Sequence, residues 1–172
     1  MNIIAYNTSM IARKLPRKVP LDEKDKAILS ALLRDPRTST AEVARKTGVQ
    51  RDTVLHRVEK MEKRGLISKY HTIIEPEALG MSMFVLVLIK AEPVSHDILG
   101  VFVEKLVAHA HVTHVARLVG NYDYFVQVAA EDIAQLDGVL SDIKRMGQGV
   151  IRDVEVANII DGLKTDDFSA LV

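Results

Sequence analysis

Between Ser39 and Gly65 the chain reads STAEVARKTGVQRDTVLHRVEKMEKRG, and few folds accept that run. Ser39 and Glu42 have the spacing of a capping box, in which each side chain serves the other residue's free backbone N–H. Val43, Ala44 and Thr47 give a short helix its inner face, and Gly48 supplies the left-handed conformation that ends it. Val49 fills the corner. In the longer helix that follows, Val54, Val58 and Met61 recur at i, i+4 and i+7 with Leu55 beside them, so one narrow face packs inward. Arg51, Thr53, His56, Arg57, Lys60, Lys63 and Arg64 are left for solvent or a partner. Two helices joined by a tight turn, the second basic on its outside, have the layout of helix-turn-helix DNA recognition. Helix–glycine–helix pairs also occur in all-α cores, where the charged face is simply solvated.

The charge distribution favours the first of these. The 172 residues carry no net formal charge, but the total conceals a division. Residues 1–70 hold 16 Lys and Arg against 8 Asp and Glu, a net of +8; residues 71–172 hold 7 against 15, a net of −8. A basic half suggests a polyanion partner. The 48% of hydrophobic residues is enough for packed cores. No cysteine is present, which excludes disulfides and thiolate metal or redox chemistry. The first twenty residues lack the pattern of a signal peptide, and no stretch approaches the roughly 18 apolar residues of a membrane span. The expectation is a soluble, cytoplasmic protein without a membrane partner.

In chain order, residues 1–20 show no periodicity and read as a flexible basic arm, with Arg13-Lys14-Leu15-Pro16-Arg17-Lys18 as its charged run. Residues 21–70 form the first domain. Asp22 is placed as N-cap, with Glu23 and Asp25 at the positive end of a helix. Its inner stripe is Ile28, Ala31 and Leu32, flanked by Leu29 and Leu33, and Pro36 stops it at Asp35. Leu66–Ile74 alternates loosely, as the wing strand of a winged helix-turn-helix would. Residues 71–82, with Glu75-Pro76 and Gly80, are a linker.

Residues 83–160 follow another pattern. Phe84–Ile89 is a continuous apolar strand, which needs both faces covered. Ile98, Leu99, Phe102, Val103, Leu106 and Val107 make a helical stripe. Val112–Val119 and Tyr122–Ala130 are strands around a two-residue turn at Gly120-Asn121. Ile133, Leu136, Val139, Leu140 and Ile143 make a second helix that stops near Gly147, and Val150–Ile160 is the last strand. This is the ferredoxin-like βαββαβ plan, so the fold class is α+β. Its helices cover one sheet face only, and a second copy of the sheet is the simplest cover for the other. A homodimer is expected. Residues 161–172 read as an acidic tail.

With both domains placed, the chain resembles the Lrp/AsnC (feast/famine) transcription regulators over about residues 20–160. Four pieces carry the resemblance: Leu21-Asp22-x-x-Asp25-x-x-Ile28-Leu29, Val54-Leu55-His56-Arg57-Val58 through Arg64-Gly65-Leu66-Ile67, Pro76-x-x-Leu79-Gly80, and Gly120-Asn121-Tyr122-Asp123. The resemblance implies a winged helix-turn-helix and dimers that often associate into octamers. It also implies a small-molecule effector, typically an amino acid, held near the hairpin turn between dimers. Gln50 stands where the family usually has a capping serine.

Arg51, Thr53 and His56 lie in the first turns of the recognition helix, which meet base edges in this motif. Arg57, Lys60 and Lys63 are expected on phosphates. Asp52 is expected either to face cytosine or to help cap the helix. Gly120, Asn121, Tyr122 and Asp123 are the candidate effector residues, with Asp123 pairing an α-amino group. His109-x-His111-x-x-His114 suggests imidazole metal ligation, but no carboxylate is close in sequence and exposed residues at a helix–strand corner are the plainer reading. No nucleophile–base pair and no phosphate-cradling loop occurs, so no catalytic residue, metal or cofactor is expected. Two functions remain: an effector-responsive transcription regulator, or a ligand-sensing oligomer that regulates another protein without binding DNA.

Overall fold

Asp22 opens the first helix with a complete capping box: its carboxylate accepts the Asp25 N–H at 2.9 Å, and its own N–H donates to the Asp25 carboxylate at 3.3 Å. Helix α1 spans Glu23–Arg34 and ends at an extended Asp35, as the following proline requires. The computed structural model describes residues 18–68, 70, 74–160, 162 and 168. The expected arm and tail lie almost wholly outside these residues. So do four of the nine residues of the expected wing strand, 69 and 71–73, and none of its described residues is in a strand. The described residues fall into two compact units, the second being Ile74–Gly162.

In the first unit, α2 (Thr40–Thr47) and α3 (Arg51–Lys63) follow α1. Gly48 adopts φ 69°, the left-handed conformation that lets the chain turn between them. The capping box expected at Ser39 is only half formed. Ser39 accepts the Glu42 N–H at 3.2 Å, but the Glu42 carboxylate has turned to Arg45 at 2.6 Å. A nearby guanidinium satisfies a carboxylate better than a neutral amide does. The core joins Ile28, Leu29, Val43, Val49, Val54 and Met61. Leu55, expected beside that face, is 50% exposed; the inner stripe is the narrower Val54, Val58 and Met61.

The second unit begins with a 3₁₀ turn at Pro76–Leu79 and continues β1 (Met83–Ala91), α4 (His96–Ala108), β2 (Val112–Arg117), β3 (Tyr124–Ala130), α5 (Ile133–Met146) and β4 (Ile151–Asn158). The strand order β2-β3-β1-β4, antiparallel throughout, is the ferredoxin-like arrangement. Along β1 the side chains alternate. Val85, Val87 and Ile89 join Val126 and Val128 of β3 in a core closed by Phe102, Leu106, Leu136, Val139 and Ile143 of the two helices. Phe84, Leu86 and Leu88 point to the opposite face and are only half-buried, in line with Ala129, Gln127 and Phe125. One sheet face is therefore packed beneath helices, and the other is apolar at its centre, with no helix over it among the described residues of the unit. Ile98, expected in the α4 stripe, is 52% exposed.

Candidate DNA interface and effector turn

Helix α3 is held from behind by Val54 and Met61 and from its start by the buried Val49. Its first residue follows Gln50, whose side chain makes no capping hydrogen bond, as the poor capping power of glutamine predicts. Asp52 makes no capping bond either. The opposite side presents Arg51, His56, Lys60 and Lys63 to solvent, with Thr53 half-buried among them. A shallow concavity on this side is lined by Asp52, Thr53, His56, Arg57 and Lys60. Among the described residues Arg51 and Lys60 have no ion-pair partner, while Lys63 lies 3.8 Å from Glu59. Unpaired cations on the exposed side of a helix are what phosphate contact requires.

Arg57 departs from expectation. It lines the concavity, but its guanidinium is turned back onto the start of α1. Its Nη1 donates to both oxygens of Asp22, at 2.9 and 2.7 Å, and to Asp25 at 2.6 Å. The Arg57 side chain is 24% exposed and Asp25 18%. The Asp25 N–H and, after it, Arg57 hold the Asp22 carboxyl below its ordinary value, and the two carboxylates raise Arg57 further above its own. An arginine so engaged already has its charge met by two carboxylates. The acidic partners lie 35 and 32 residues away in sequence.

At the other candidate site, the strands stop earlier than expected. β2 ends at Arg117 and β3 begins at Tyr124. Leu118 N–H donates to the Asp123 carbonyl at 2.8 Å, so Val119–Tyr122 form a four-residue tip rather than Gly120-Asn121 a two-residue turn. Asp123 is also tied to the neighbouring strand β1. Its N–H donates to the Ile89 carbonyl and its carboxylate accepts the Ala91 N–H, both at 2.9 Å. That places the carboxylate on the backbone of β1, where it braces the turn, and leaves it less free for an amino group than expected.

The neighbours of the tip are also engaged. Asn121 Oδ1 accepts from Lys90 Nζ at 3.4 Å, and the Tyr122 hydroxyl donates to Glu155 at 2.5 Å. The Glu155 hydrogen bond, with some burial, raises the Tyr122 phenol above its ordinary value. Gly120 has open space where a Cβ would stand. The four expected residues thus gather at one end of the sheet. Lys90, Ala91 and Glu155 join them from 31–33 residues away, too far along the chain for spacing to reveal.

The three histidines do not converge. His109 faces Asp142 at 3.6 Å and accepts the His111 N–H on Nδ1. His111 Nδ1 lies 3.0 Å from the Ala129 carbonyl, which only accepts, so that nitrogen carries the proton. His114 lies edge-on to Phe125, with ring centroids 5.4 Å apart. Among the described residues no group of three His, Asp or Glu is disposed to hold a metal ion, and no helix is long and apolar enough to cross a membrane.

Comparison with known proteins bears on both domains. The description of winged helix-turn-helix DNA-binding domains matches residues 21–68, and that of the Lrp/AsnC ligand binding domain matches residues 84–159. HTH-type transcriptional regulator FL11 of Pyrococcus horikoshii is 31% identical over 148 residues, 86% of this chain and 93% of its own length. The chain belongs to the Lrp/AsnC family. Escherichia coli AsnC superposes with a TM-score of 0.75 at 27% identity, over 88% of this chain and 99% of its own. A transcriptional regulator from Neisseria meningitidis, crystallised as an L-Met complex, shares the fold with a TM-score of 0.79 at 18% identity, over 89% of this chain and 100% of its own. As an Lrp/AsnC protein the chain is a DNA-binding transcription regulator with an effector-binding domain in its second half, and not an enzyme.

Proposed function

We propose that this Lrp/AsnC regulator binds specific duplex sequences through the exposed side of α3 and that a small effector, an amino acid, tunes its assembly or its DNA affinity. Arg51, Thr53 and His56 read base edges, and Lys60 and Lys63 hold phosphates. One observation carries the DNA reading above all: Arg51 and Lys60 stand on one exposed helix face without an acidic partner among the described residues. Assembly is a homodimer through the apolar sheet face of Phe84, Leu86 and Leu88, extending to higher oligomers such as an octamer. The protein works in the cytoplasm and needs no cofactor beyond the effector.

The effector reading rests on the tip of the β2–β3 connection. Among the described residues the backbone N–H groups of Val119, Gly120, Asn121 and Tyr122 have no hydrogen-bond partner. Consecutive free N–H groups suit a carboxylate, and the L-Met complex of the Neisseria protein supports an amino acid as the class. Thermal-shift screening of the twenty amino acids tests this, because a ligand that binds only the folded state raises the melting temperature. No response to any of them would remove the amino-acid reading. Binding to random duplex DNA at low salt separates this function from regulation of another protein, which requires no DNA binding.

A further inference from the structure

We propose that Arg57 is a positioning residue of the recognition helix, locking the roll of α3 against the start of α1, and that it does not itself contact DNA. The inference rests on the DNA-binding reading above and goes beyond it. Three observations carry it. The rear of α3 is held by Val54, Val58 and Met61, and apolar packing is non-directional, so it sets how close the helix sits better than it sets its rotation. The start of α3 is not fixed by a side-chain cap. Against these two weak constraints stands one directional one: a single guanidinium nitrogen shared by three carboxylate oxygens at 2.6–2.9 Å.

Those oxygens are already oriented before Arg57 reaches them. Asp22 and Asp25 clasp each other's backbone N–H groups in the capping box, so neither carboxylate is a free rotor. They also sit at the positive end of α1. A guanidinium is repelled from a helix N-terminus unless carboxylates intervene, so the position of Arg57 depends on both of them. Arg57 is flanked on the helix by His56, one position before, and Lys60, three after. A small roll of α3 therefore moves base-reading and phosphate-holding groups together. Base-edge hydrogen bonds tolerate little displacement, whereas lysines on flexible stems follow a phosphate.

The test uses the full-length chain, with a duplex enriched from a random pool by the wild-type protein and a scrambled duplex of equal composition. Arg57→Ala is expected to lose about tenfold or more in affinity for the enriched duplex, the discrimination carried by roughly one base contact. Affinity for the scrambled duplex and the salt slope should stay within about twofold and about 0.3 of wild type, since no phosphate contact is lost. Asp25→Asn should reproduce the same selective loss, and the double variant should lose no more than either single one. Arg57→Lys, a charge that cannot span all three oxygens as well, should rescue in part. Affinities are read at a temperature where circular dichroism shows every variant folded.

Three results overturn the proposal. Equal loss on both duplexes with a slope flattened by about 0.9 makes Arg57 a phosphate contact. Unchanged affinity in a folded variant with a lowered melting temperature makes the cluster purely structural. Asp25→Asn binding more tightly than wild type shows that the carboxylates withhold Arg57 from DNA. A wild-type chain that enriches no duplex at all refutes the DNA-binding reading itself, a separate and recognisable failure.

Discussion

Replacing Lys60 with alanine isolates one phosphate contact. The ammonium stands on the exposed side of α3 without an ion-pair partner among the described residues, so its removal strands no opposite charge and opens no cavity. Folding stability should barely change. Each phosphate neutralised on B-DNA contributes about 0.9 to the slope of log affinity against log salt, and a dimer using both α3 helices would lose about 1.8. Over a fourfold rise in salt, from roughly 50 to 200 mM, the deficit of the variant relative to wild type should then shrink about twelvefold, because the wild type has more counterion release to lose. Lys63→Ala should flatten the slope less, since Glu59 at 3.8 Å already offsets part of that charge. Fluorescence anisotropy on one labelled duplex across a salt series measures both slopes. An unchanged slope for Lys60→Ala, accompanied by altered preference between duplexes, would refute the reasoning and move Lys60 to base readout.

The two faces of β1 predict opposite outcomes for neighbouring substitutions: Leu88→Glu, on the uncovered face, should give a folded monomer by light scattering, while Val87→Glu, at 0% exposure beneath the helices, should abolish folding. Gly147→Ala should destabilise the chain by about 1–3 kcal/mol in thermal or denaturant unfolding, because the added Cβ would stand 2.3 Å from the Ile151 side chain and 3.0 Å from Phe102. Acid should weaken the first unit. Asp22 has a folded-state pKa below its ordinary 3.8, so its contribution is complete above that value and is lost as pH falls through the lower, folded-state one. Asp22→Asn, which keeps a capping oxygen but not the charge, should show a shallower loss of stability below about pH 4 by circular dichroism.

Much of this architecture was legible because its causes are local. Asp22 and Asp25, Gly48, Gln50 and Pro36 act within four residues of themselves, through caps, a left-handed turn, a missing cap and a steric stop, and each does in the fold what its neighbourhood requires. The alternation of Phe84–Ile89 likewise belongs to the strand itself, and it implied two apolar faces before any helix was placed. The basic and acidic halves fall largely on the two units for the same reason: charge is counted along the chain, and the described part of each unit is almost wholly one stretch of it.

What tertiary structure decided were the partners of groups with more than one choice. The sequence around Arg57 offers an outward cation, and only the packing of α3 on α1 brings two oriented carboxylates from 35 and 32 residues away. Asp123 next to a turn suits an ammonium ligand as well as a backbone N–H; the register of β3 on β1 delivers Ala91 to it. Tyr122 finds Glu155 because β4 runs along the far side of β1. Even within one turn of helix, Glu42 left Ser39 for Arg45. Caps and periodicity are properties of neighbouring residues, and so a sequence states them outright. The destination of a charged side chain depends on which distant group the fold carries within hydrogen-bonding reach, and only the folded chain determines that.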